Sequence, residues 1–273
     1  MDLSRRRGPD SGPKKERLAA APAANNANSA ENANRANGPP KPGDPGELRQ
    51  RLAHVLWLGG SACAGKTTVA RLLAARYGLA AYHCDDAFTR HRARTTPARH
   101  PDFCRVGDLS FEEMWRVPLA DQVVDLLAFY REQLELLIED LLALPAGAPL
   151  LAEGSGLLPA QIAQLILAPH QALWLIATPT FRRRHYPRRG PWVKQLLAGC
   201  ERPRQVFATW MERDDELARR RAAEVAALGL RCLATDGSRS VAETAVAVAA
   251  HFRLAAPGGV PAPSATHSSD SGH

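Results

Sequence analysis

Short apolar runs alternate along the chain with longer segments in which apolar residues recur at helical spacing. Apolar runs of this length, bounded by turn residues, are typical of strands that are buried on both faces of a sheet. The predicted strands are residues 53–58, 79–84, 149–152, 171–177 and 230–234. Helices are predicted around residues 69–74 and at 121–144, 202–228 and 241–254. Strands separated by helices predict an α/β fold, with a five-stranded parallel sheet covered by helices on both faces.

The two ends of the chain do not follow this pattern. Residues 1–48 are rich in Ala, Asn, Pro, Gly and charged side chains, and residues 19–37 contain no large apolar side chain. Such a segment cannot bury enough apolar surface to offset the entropy that it would lose on ordering. We therefore predict disordered tails at residues 1–48 and 257–273, with one folded domain at residues 49–256.

The composition is that of a globular protein outside the membrane. Of the 273 residues, 45% are hydrophobic and 23% are charged. No apolar run approaches the roughly 20 residues that span a bilayer, and no apolar segment of the signal-peptide kind follows the N-terminus. The net charge of +7 is compatible with an anionic ligand but does not by itself indicate nucleic acid.

The cysteines give no indication of a disulfide framework or a structural zinc site. Their number is odd, and no two of them stand at metal-ligand spacing. They are Cys63, Cys84, Cys104, Cys200 and Cys232. Because reduced thiols are typical of the cytosol, we predict a cytoplasmic protein that does not contact a membrane.

One segment carries the pattern of a phosphate-binding loop. Its sequence fits G-x-x-x-x-G-K-[ST] between a predicted strand and a predicted helix, and reads Gly60-Ser61-Ala62-Cys63-Ala64-Gly65-Lys66-Thr67. The glycines allow backbone N–H groups to turn inward and hold phosphate oxygens, and the helix N-terminus adds partial positive charge. Lys66 can then reach the β- and γ-phosphates, and the Thr67 hydroxyl can ligate Mg²⁺. The loop therefore predicts a nucleoside triphosphate site.

Acidic residues follow the second and third predicted strands. In an open parallel sheet, ligands bind beyond the carboxyl ends of the strands. Asp85 and Asp86 follow the second strand, and Glu153 follows the third, at the place of a Walker B acid. We predict that Asp85 and Glu153 join Thr67 at the metal and that Asp86 is the base that faces the acceptor, although the two aspartates could exchange roles. These acids could instead cap helices or turns.

Arginines are concentrated after the fourth predicted strand. Five of the ten residues at 181–190 are arginine, Arg182 among them, and Arg213 and the cluster 219–221 follow. Guanidinium groups can clamp phosphate oxygens, so we interpret residues 178–221 as a lid that closes over the triphosphate. The alternatives are a nucleic-acid surface and a solvated helix face. The solvated face is favoured for 219–221, because acidic residues stand nearby in the sequence.

The segments 57–68, 82–86 and 151–154 together resemble the P-loop small-molecule kinases. This group includes nucleoside and nucleotide kinases, shikimate and gluconate kinases and chloramphenicol phosphotransferase. The segment 234–238 is similar to the turn that passes beside the adenine in these kinases, and 210–214 resembles their arginine-bearing lid. The resemblance covers about residues 53–254 and implies a P-loop NTPase fold of the nucleotide-kinase kind.

The resemblance also implies roles for individual residues. The loop from Gly60 to Thr68 would bind ATP and Mg²⁺, and Asp236 and Gly237 would lie beside the adenine. Arg213 would belong to the lid, and from the residue chemistry given above we expect Lys66 and Arg182 to act with it on the transferring phosphoryl group. Either Asp85 or Asp86 would meet the acceptor.

The acceptor is expected to bind to residues 88–148, which we interpret as a helical insertion between the second and third strands. Its aromatic and basic residues are candidates for the pocket, although several are expected to belong to the core. They are Phe88, Arg90, Arg92, Phe103, Arg105, Trp115 and Tyr130.

The leading hypothesis is a kinase, monomeric or homodimeric, that moves the γ-phosphoryl group of ATP to a hydroxyl or a phosphate of a small molecule. A GTPase is disfavoured, because guanine recognition uses N-K-x-D or T-K-x-D and no asparagine follows Asn37. No second signature of a motor ATPase is present. The alternative is an ATP-binding regulatory or nucleic-acid-associated P-loop NTPase, which rests on the arginines and the basic tail alone. The sequence does not name the acceptor.

Overall fold

The computed structural model describes residues 45–145 and 147–255. At its centre is a five-stranded parallel sheet in the order β2-β3-β1-β4-β5. The strands are β1 (Val55–Gly60), β2 (Ala80–His83), β3 (Leu150–Glu153), β4 (Ala172–Ala177) and β5 (Arg231–Thr235). Each overlaps a strand predicted from the apolar pattern. The predicted α/β fold class is therefore confirmed.

Helices follow or precede every strand and cover both faces of the sheet. They are α1 (Pro45–Arg51), α2 (Lys66–Tyr77), α3 (Phe88–Arg94), α4 (Pro101–Asp108), α5 (Phe111–Arg116), α6 (Leu119–Ala143), α7 (Pro159–Ala163), α8 (Pro179–His185), α9 (Pro191–Ala198), α10 (Pro203–Ala227) and α11 (Val241–His251). Short 3-10 helices occur at Cys84–Ala87, Pro169–Gln171 and Tyr186–Arg188. In the part of the chain that the structure describes, no helix has the length and apolar character needed to cross a bilayer.

The start of the folded domain lies slightly earlier than predicted. The tails expected to be disordered fall outside the described residues, except that residues 45–48 belong to α1. Leu48 packs against the core, and the Arg49 side chain donates to the carbonyl oxygen of Gln164 at 2.8 Å. The prediction of disorder was wrong for this short segment, because a single apolar side chain anchors it.

The side chains of β1 alternate between two separate cores. Trp57 packs on one face of the sheet in a cluster with Leu137 of α6 and Trp174 of β4. Leu58 packs on the other face in a cluster with Val69 of α2 and Val248 of α11. Because successive residues of a strand point to opposite faces and both faces are covered, the strand reads as a continuous apolar run.

Two glycines bring the end of β1 into close contact with β4. A Cβ atom on Gly59 would overlap the indole ring of Trp174, and one on Gly60 would overlap the carbonyl oxygen of Leu175. Gly60 also has a φ of +143°, a backbone region that favours glycine. The next residue, Ser61, donates its N–H to the Leu175 carbonyl at 2.9 Å. These contacts hold the entry to the phosphate loop against β4.

The two functional segments expected from the sequence are mostly helical. Residues 88–145 of the expected acceptor insertion contain α3 to α6, and residues 178–221 contain α8, α9 and much of α10. The longest helices, α6 and α10, each span 25 residues and contact one another. Residues from both segments therefore meet at one place above the sheet.

A buried polar network joins β2 to the helices of the insertion. Asp140 of α6 accepts a hydrogen bond from the Tyr82 hydroxyl at 2.5 Å, and it also contacts His91, Arg90 and Arg94. His91 is fully buried. Partial burial acts to raise the pKa of Asp140, but the hydrogen bonds from Tyr82, Arg94 and His91 prevail and lower it to about 2. Asp140 is therefore ionised in the folded protein at neutral pH.

We expect Asp140→Asn to destabilise the protein by about 1–3 kcal/mol at neutral pH, because an amide cannot replace a carboxylate that accepts from several donors. The pKa of Asp140 is depressed, so its contribution is complete above the unfolded-state pKa of about 3.9 and is lost as the pH falls toward about 2. Urea unfolding of both proteins across this range measures the difference. A difference that does not shrink with falling pH would contradict an ionised Asp140.

Candidate functional site

The phosphate loop leaves the carboxyl end of β1 and enters α2, as its pattern requires. Cys63, with φ +62°, and Gly65, with φ +82°, both have left-handed backbone, which turns the chain into the helix. This backbone conformation favours glycine, so the Cys63 residue is conformationally strained. The Ser61 hydroxyl accepts from the N–H of Ala177 at 2.8 Å. The loop is therefore held by β4 on one side and continues into the helix on the other.

Lys66 lies between the loop and the residues that follow β3. It is buried, and its ammonium group donates to the Ser61 carbonyl oxygen at 2.9 Å and to the Ser155 hydroxyl at 3.1 Å. Burial lowers the pKa of Lys66, whereas the carboxylates of Asp85 and Glu153 act in the opposite direction. Its two partners are neutral oxygens, which phosphate oxygens would replace with stronger, charge-assisted bonds.

Glu153, at the end of β3, is tied to the loop. It is 3% exposed, and its Oε1 accepts from the Thr67 hydroxyl at 2.9 Å and lies 2.7 Å from Nδ1 of His83. Burial acts to raise the pKa of Glu153, but the hydrogen bond from His83 and the charge of Lys66 prevail and lower it. His83 was not among the site residues predicted from the sequence. Its position at the end of β2, directly before the acidic pair, is the signal that could have identified it.

These residues fit a Mg²⁺ site that is completed by a bound nucleotide. Mg²⁺ prefers oxygen ligands and is often held by one or two carboxylates together with water and substrate phosphates. Thr67 and Glu153 supply such oxygens, and Oε2 of Glu153 is buried without a partner among the described residues. Residues 45–145 and 147–255 contain no group of three or more His, Cys, Asp or Glu side chains that could hold a metal ion by themselves.

The two aspartates after β2 lie in different surroundings. Both belong to the 3-10 helix Cys84–Ala87. Asp85 is partly buried and lines a cavity beside the phosphate loop, whereas Asp86 is exposed and does not line it. Burial raises the pKa of Asp85, and the charge of Lys66 acts in the opposite direction. Asp85 therefore lines the cavity and Asp86 does not, whereas the sequence favoured Asp86 as the residue that faces the acceptor.

Arg182, which was predicted to act on the triphosphate, is occupied elsewhere. Its side chain is fully buried, donates to the Ala177 carbonyl oxygen at 2.8 Å and pairs with Asp215 of α10. It does not line the cavity beside the phosphate loop. Because separating a buried ion pair is costly, this contact fastens α8 to α10. The structure gives Arg182 a structural position in place of the predicted catalytic one.

The cavity beside the phosphate loop has a volume of about 190 Å³. Ala62 of the loop and Ser155 after β3 form part of its wall, so a molecule inside it would lie next to the triphosphate site. Further polar lining residues are Asp85, Gln133, Arg189, Arg213, Asp214 and Arg221. The helices contribute aromatic side chains, among them Phe111, Trp115, Phe129, Tyr130, Trp192 and Trp210.

The arginines of the cavity lie over aromatic rings. The guanidinium of Arg213 is 4.7 Å from the ring centroid of Trp115, and that of Arg221 is 5.5 Å from the centroid of Tyr130. Arg189 lies over two further lining residues, Tyr186 at 5.2 Å and Trp192 at 5.4 Å. Cation–π contacts of this kind hold a guanidinium in place without neutralising its charge.

The arginine cluster 219–221 divides between the surface and the cavity. Arg219 and Arg220 are exposed and pair with Glu216. Arg221 is 4% exposed, and its Nη2 donates to the Ser155 carbonyl oxygen at 2.8 Å. The interpretation as a solvated face was wrong for Arg221, because consecutive helical residues cannot all share one face. The helical periodicity of the sequence could have distinguished Arg221 from Arg219 and Arg220.

The acceptor candidates also divide between the cavity and other positions. Phe88, Trp115 and Tyr130 line the cavity, whereas Phe103 is fully buried and stacks on Phe129. The basic candidates form ion pairs outside the cavity: Arg90 with Asp140, Arg92 with Asp108, and Arg105 with Asp102 and Asp125. Phe111 was not among the residues predicted for the pocket, although its i,i+4 spacing to Trp115 places the two side chains on one helix face.

The turn after β5 lies beside the phosphate loop. The Thr235 hydroxyl donates to the Ala64 carbonyl oxygen at 3.2 Å, which ties the turn to the loop. Gly237 has a φ of +93°, and a Cβ atom there would lie 3.4 Å from the ring of Phe181. Asp236 is exposed. The structure therefore brings Asp236 and Gly237 to the edge of the loop, with Phe181 as an aromatic neighbour.

Comparisons with known proteins found solved structures of low similarity to this chain. No family model and no curated protein matches this chain. Shikimate kinase from Acinetobacter baumannii, in complex with shikimate, is 18% identical over 73% of this chain and 94% of that chain, with a TM-score of 0.41. The TT1252 protein from Thermus thermophilus is 21% identical over 73% and 98%, with a TM-score of 0.42. The YorR protein from Bacillus subtilis, in complex with phosphorylated GDP, is 14% identical over 73% and 96%, with a TM-score of 0.34.

Similarities at this level do not identify a reaction or an acceptor. The parallel sheet and the strand–loop–helix setting of the phosphate loop belong to this chain itself. On these features, the chain has the α/β fold of a P-loop protein.

Proposed function

We propose that this protein is an ATP-dependent kinase that transfers the γ-phosphoryl group to a hydroxyl or a phosphate of a small molecule. The observation that carries the proposal is that the phosphate loop and the cavity share a wall. Ala62 of the loop lines the cavity, and so does Ser155, whose hydroxyl accepts from Lys66. A donor site and an acceptor cavity that meet at one lysine suit in-line transfer between two bound molecules.

The residues around Lys66 have different roles in the phosphoryl transfer. Lys66 and the loop N–H groups bind the β- and γ-phosphates of ATP. Asp85, in the cavity wall, accepts the proton of an acceptor hydroxyl as its oxygen forms a bond to the γ-phosphorus and ADP departs. Arg189 and Arg221 stand close enough to Lys66 to influence its pKa, and they balance the negative charge of the transferring group.

Thr67 and Glu153 are the residues proposed to hold Mg²⁺ together with the nucleotide. An ion held by these two residues would offset the negative charge that the triphosphate carries during the transfer. His83 orients the Glu153 carboxylate through their 2.7 Å contact. Aromatic side chains form much of the cavity wall, so an acceptor bound there would displace water from the phosphoryl group and slow its hydrolysis.

Association with nucleic acid has less support. A nucleic-acid surface needs basic side chains available on one exposed face. Arg213 and Arg221 instead line the cavity, and Arg219 and Arg220 are paired with Glu216.

The proposed function is tested by measuring ADP release from ATP and Mg²⁺ against a panel of sugars, nucleosides, nucleotides, sugar acids and phenicol- or aminoglycoside-like alcohols. We expect one class to stimulate ADP release by about tenfold or more, since a bound acceptor replaces slow hydrolysis by positioned transfer. Mass spectrometry should find a phosphorylated acceptor in equal amount to the ADP. If only DNA or RNA stimulated ADP release, or if no class of molecule did, the proposal of a small-molecule kinase would be refuted.

A further inference from the structure

The cavity contains an aromatic box, which we define as Phe111, Trp115 and Trp210. The ring centroids of Phe111 lie 5.5 Å from Trp115 and 5.3 Å from Trp210, and those of the two tryptophans lie 5.5 Å apart. All three side chains line the cavity. Aromatic rings bind another flat ring well, through offset stacking and edge-to-face contacts. Transfer of a phosphoryl group does not by itself require such a surface, so the box points to the body of the acceptor.

Arg213 stands at the aromatic box with poor hydrogen-bond partners. It is 8% exposed and lies over Trp115. Among the described residues, the only hydrogen-bond partner of its Nη1 is the sulfur of Met114, at 2.9 Å, and a thioether is a weak acceptor. Its other nitrogens reach a single oxygen of Asp214 at the long distances of 3.2 and 3.3 Å. A buried guanidinium in this state is well placed to receive an oxygen anion in bidentate fashion.

Further donors around the cavity have no acceptor. The indole N–H groups of Trp115, Trp192 and Trp210 are buried and have no hydrogen-bond partner among the described residues, and the same holds for Nε of Arg221. These atoms are inaccessible to solvent, so a ligand oxygen would reach them only after a small movement of their side chains, and the contact would then remove the cost of an unpaired buried donor. Every one of these groups is a donor, which favours an oxygen-rich and negatively charged ligand.

The charges of the cavity lead to the same conclusion. Arg189, Arg213 and Arg221 face two carboxylates, Asp85 and Asp214. Among the described residues, neither Arg189 nor Arg221 forms a salt bridge with a carboxylate. The excess of positive charge is available to the transferring phosphoryl group at Lys66 and to a second anion at the aromatic box.

We propose that the acceptor is a planar aromatic or heteroaromatic molecule that carries a hydroxyl group and, at another position of the ring system, a carboxylate or phosphate. This rests on the proposed kinase function. The ring packs against the side of the aromatic box that lines the cavity, the anionic group binds to Arg213, and the hydroxyl faces Asp85. Arg213 is then a determinant of acceptor specificity rather than a lid residue.

The proposal is tested by calorimetric titration of the full chain without ATP, using three matched sets of probes. The aromatic hydroxy-acids are meta-hydroxymethylbenzoate and meta-hydroxymethylphenyl phosphate. Their neutral counterpart is benzyl alcohol, and their non-aromatic counterparts are cis-3-hydroxymethylcyclohexanecarboxylate and cis-3-hydroxymethylcyclohexyl phosphate. We expect at least one aromatic hydroxy-acid to bind about tenfold or more tightly than both of its counterparts.

Variants then assign the anion to Arg213. Arg213→Gln should weaken binding of the preferred aromatic acid about tenfold and leave the affinity of its neutral counterpart unchanged, which also shows that the cavity is still formed. Arg213→Lys should keep part of the preference, because the charge remains but the bidentate geometry is lost. Arg220→Gln, a change to an exposed arginine on the same helix, should affect neither probe.

Three results would overturn the proposal: no saturable binding by any set, equal or tighter binding by a neutral or non-aromatic set, or an unchanged preference in Arg213→Gln. The titration uses no ATP, so it separates this proposal from the proposed function. If the protein prefers aromatic acids but transfers no phosphoryl group from ATP, the proposed kinase function is wrong. If it transfers the group to a neutral or aliphatic acceptor, only the proposed acceptor class is wrong.

Discussion

Lys66→Ala is expected to lower kcat/KM for phosphoryl transfer by about a thousandfold or more. The substitution removes the buried ammonium group that links the loop carbonyl of Ser61 to the Ser155 hydroxyl, at the junction of donor site and cavity. It leaves the loop glycines and the helix N-terminus in place, so nucleotide binding should weaken less than turnover. Steady-state ADP formation with the best acceptor measures the loss, and thermal unfolding confirms that the variant is folded.

Lys194 provides the matched control for this experiment. It is the only other lysine after residue 48, and it is exposed on α9. Lys194→Ala should retain wild-type turnover. A second variant, Lys66→Met, keeps most of the apolar stem and tests whether charge rather than packing is responsible. Wild-type activity in a folded Lys66→Met protein would exclude Lys66 from the transfer and with it the kinase mechanism.

Asp85→Asn is expected to lower kcat about a hundredfold or more with a hydroxyl acceptor, because the amide cannot take the acceptor proton. Asp85 lines the cavity, and its pKa is raised by burial against the opposing charge of Lys66. Since only the ionised carboxylate can act as a base, wild-type kcat/KM should rise with pH through this raised pKa. The rise should be absent in Asp85→Asn. A pH profile of both proteins with one acceptor provides the measurement.

Asp86→Asn serves as the neighbouring control. The Asp86 side chain is exposed and outside the cavity, so its replacement should leave both turnover and the pH profile unchanged. If Asp86→Asn lost activity while Asp85→Asn kept it, the roles assigned to the two aspartates would have to be exchanged.

Much of the fold could be predicted from short stretches of sequence. Each strand of the sheet is a compact apolar run, because parallel strands covered on both faces need apolar side chains at every position. The order of the strands in the sheet could not be read from these runs, since it depends on pairing between segments far apart in the chain, such as Trp57 with Ala152 and Ala172. The helix Pro45–Arg51 was missed because its single anchoring leucine stands in an otherwise polar segment.

The donor half of the candidate site was also accessible from the sequence. The phosphate loop is contiguous, so its spacing alone states which backbone groups, lysine and threonine come together. Glu153 could be placed because the ends of neighbouring parallel strands meet at one edge of the sheet. The acceptor half was not accessible in this way. Its walls come from α5, α6, α9 and α10, whose mutual packing is decided by contacts between distant segments.

By itself, the sequence determined the α/β class, the phosphate loop and the strand-end acid at Glu153, because each depends on local periodicity or contiguous spacing. Only the tertiary structure decided which of several neighbouring side chains faces the cavity and which faces solvent. It turned Asp85 toward the cavity and Asp86 toward solvent, and it separated Arg221 from Arg219 and Arg220. The physical reason is that a helix points successive side chains in different directions, and only packing against other elements determines which direction is the interior.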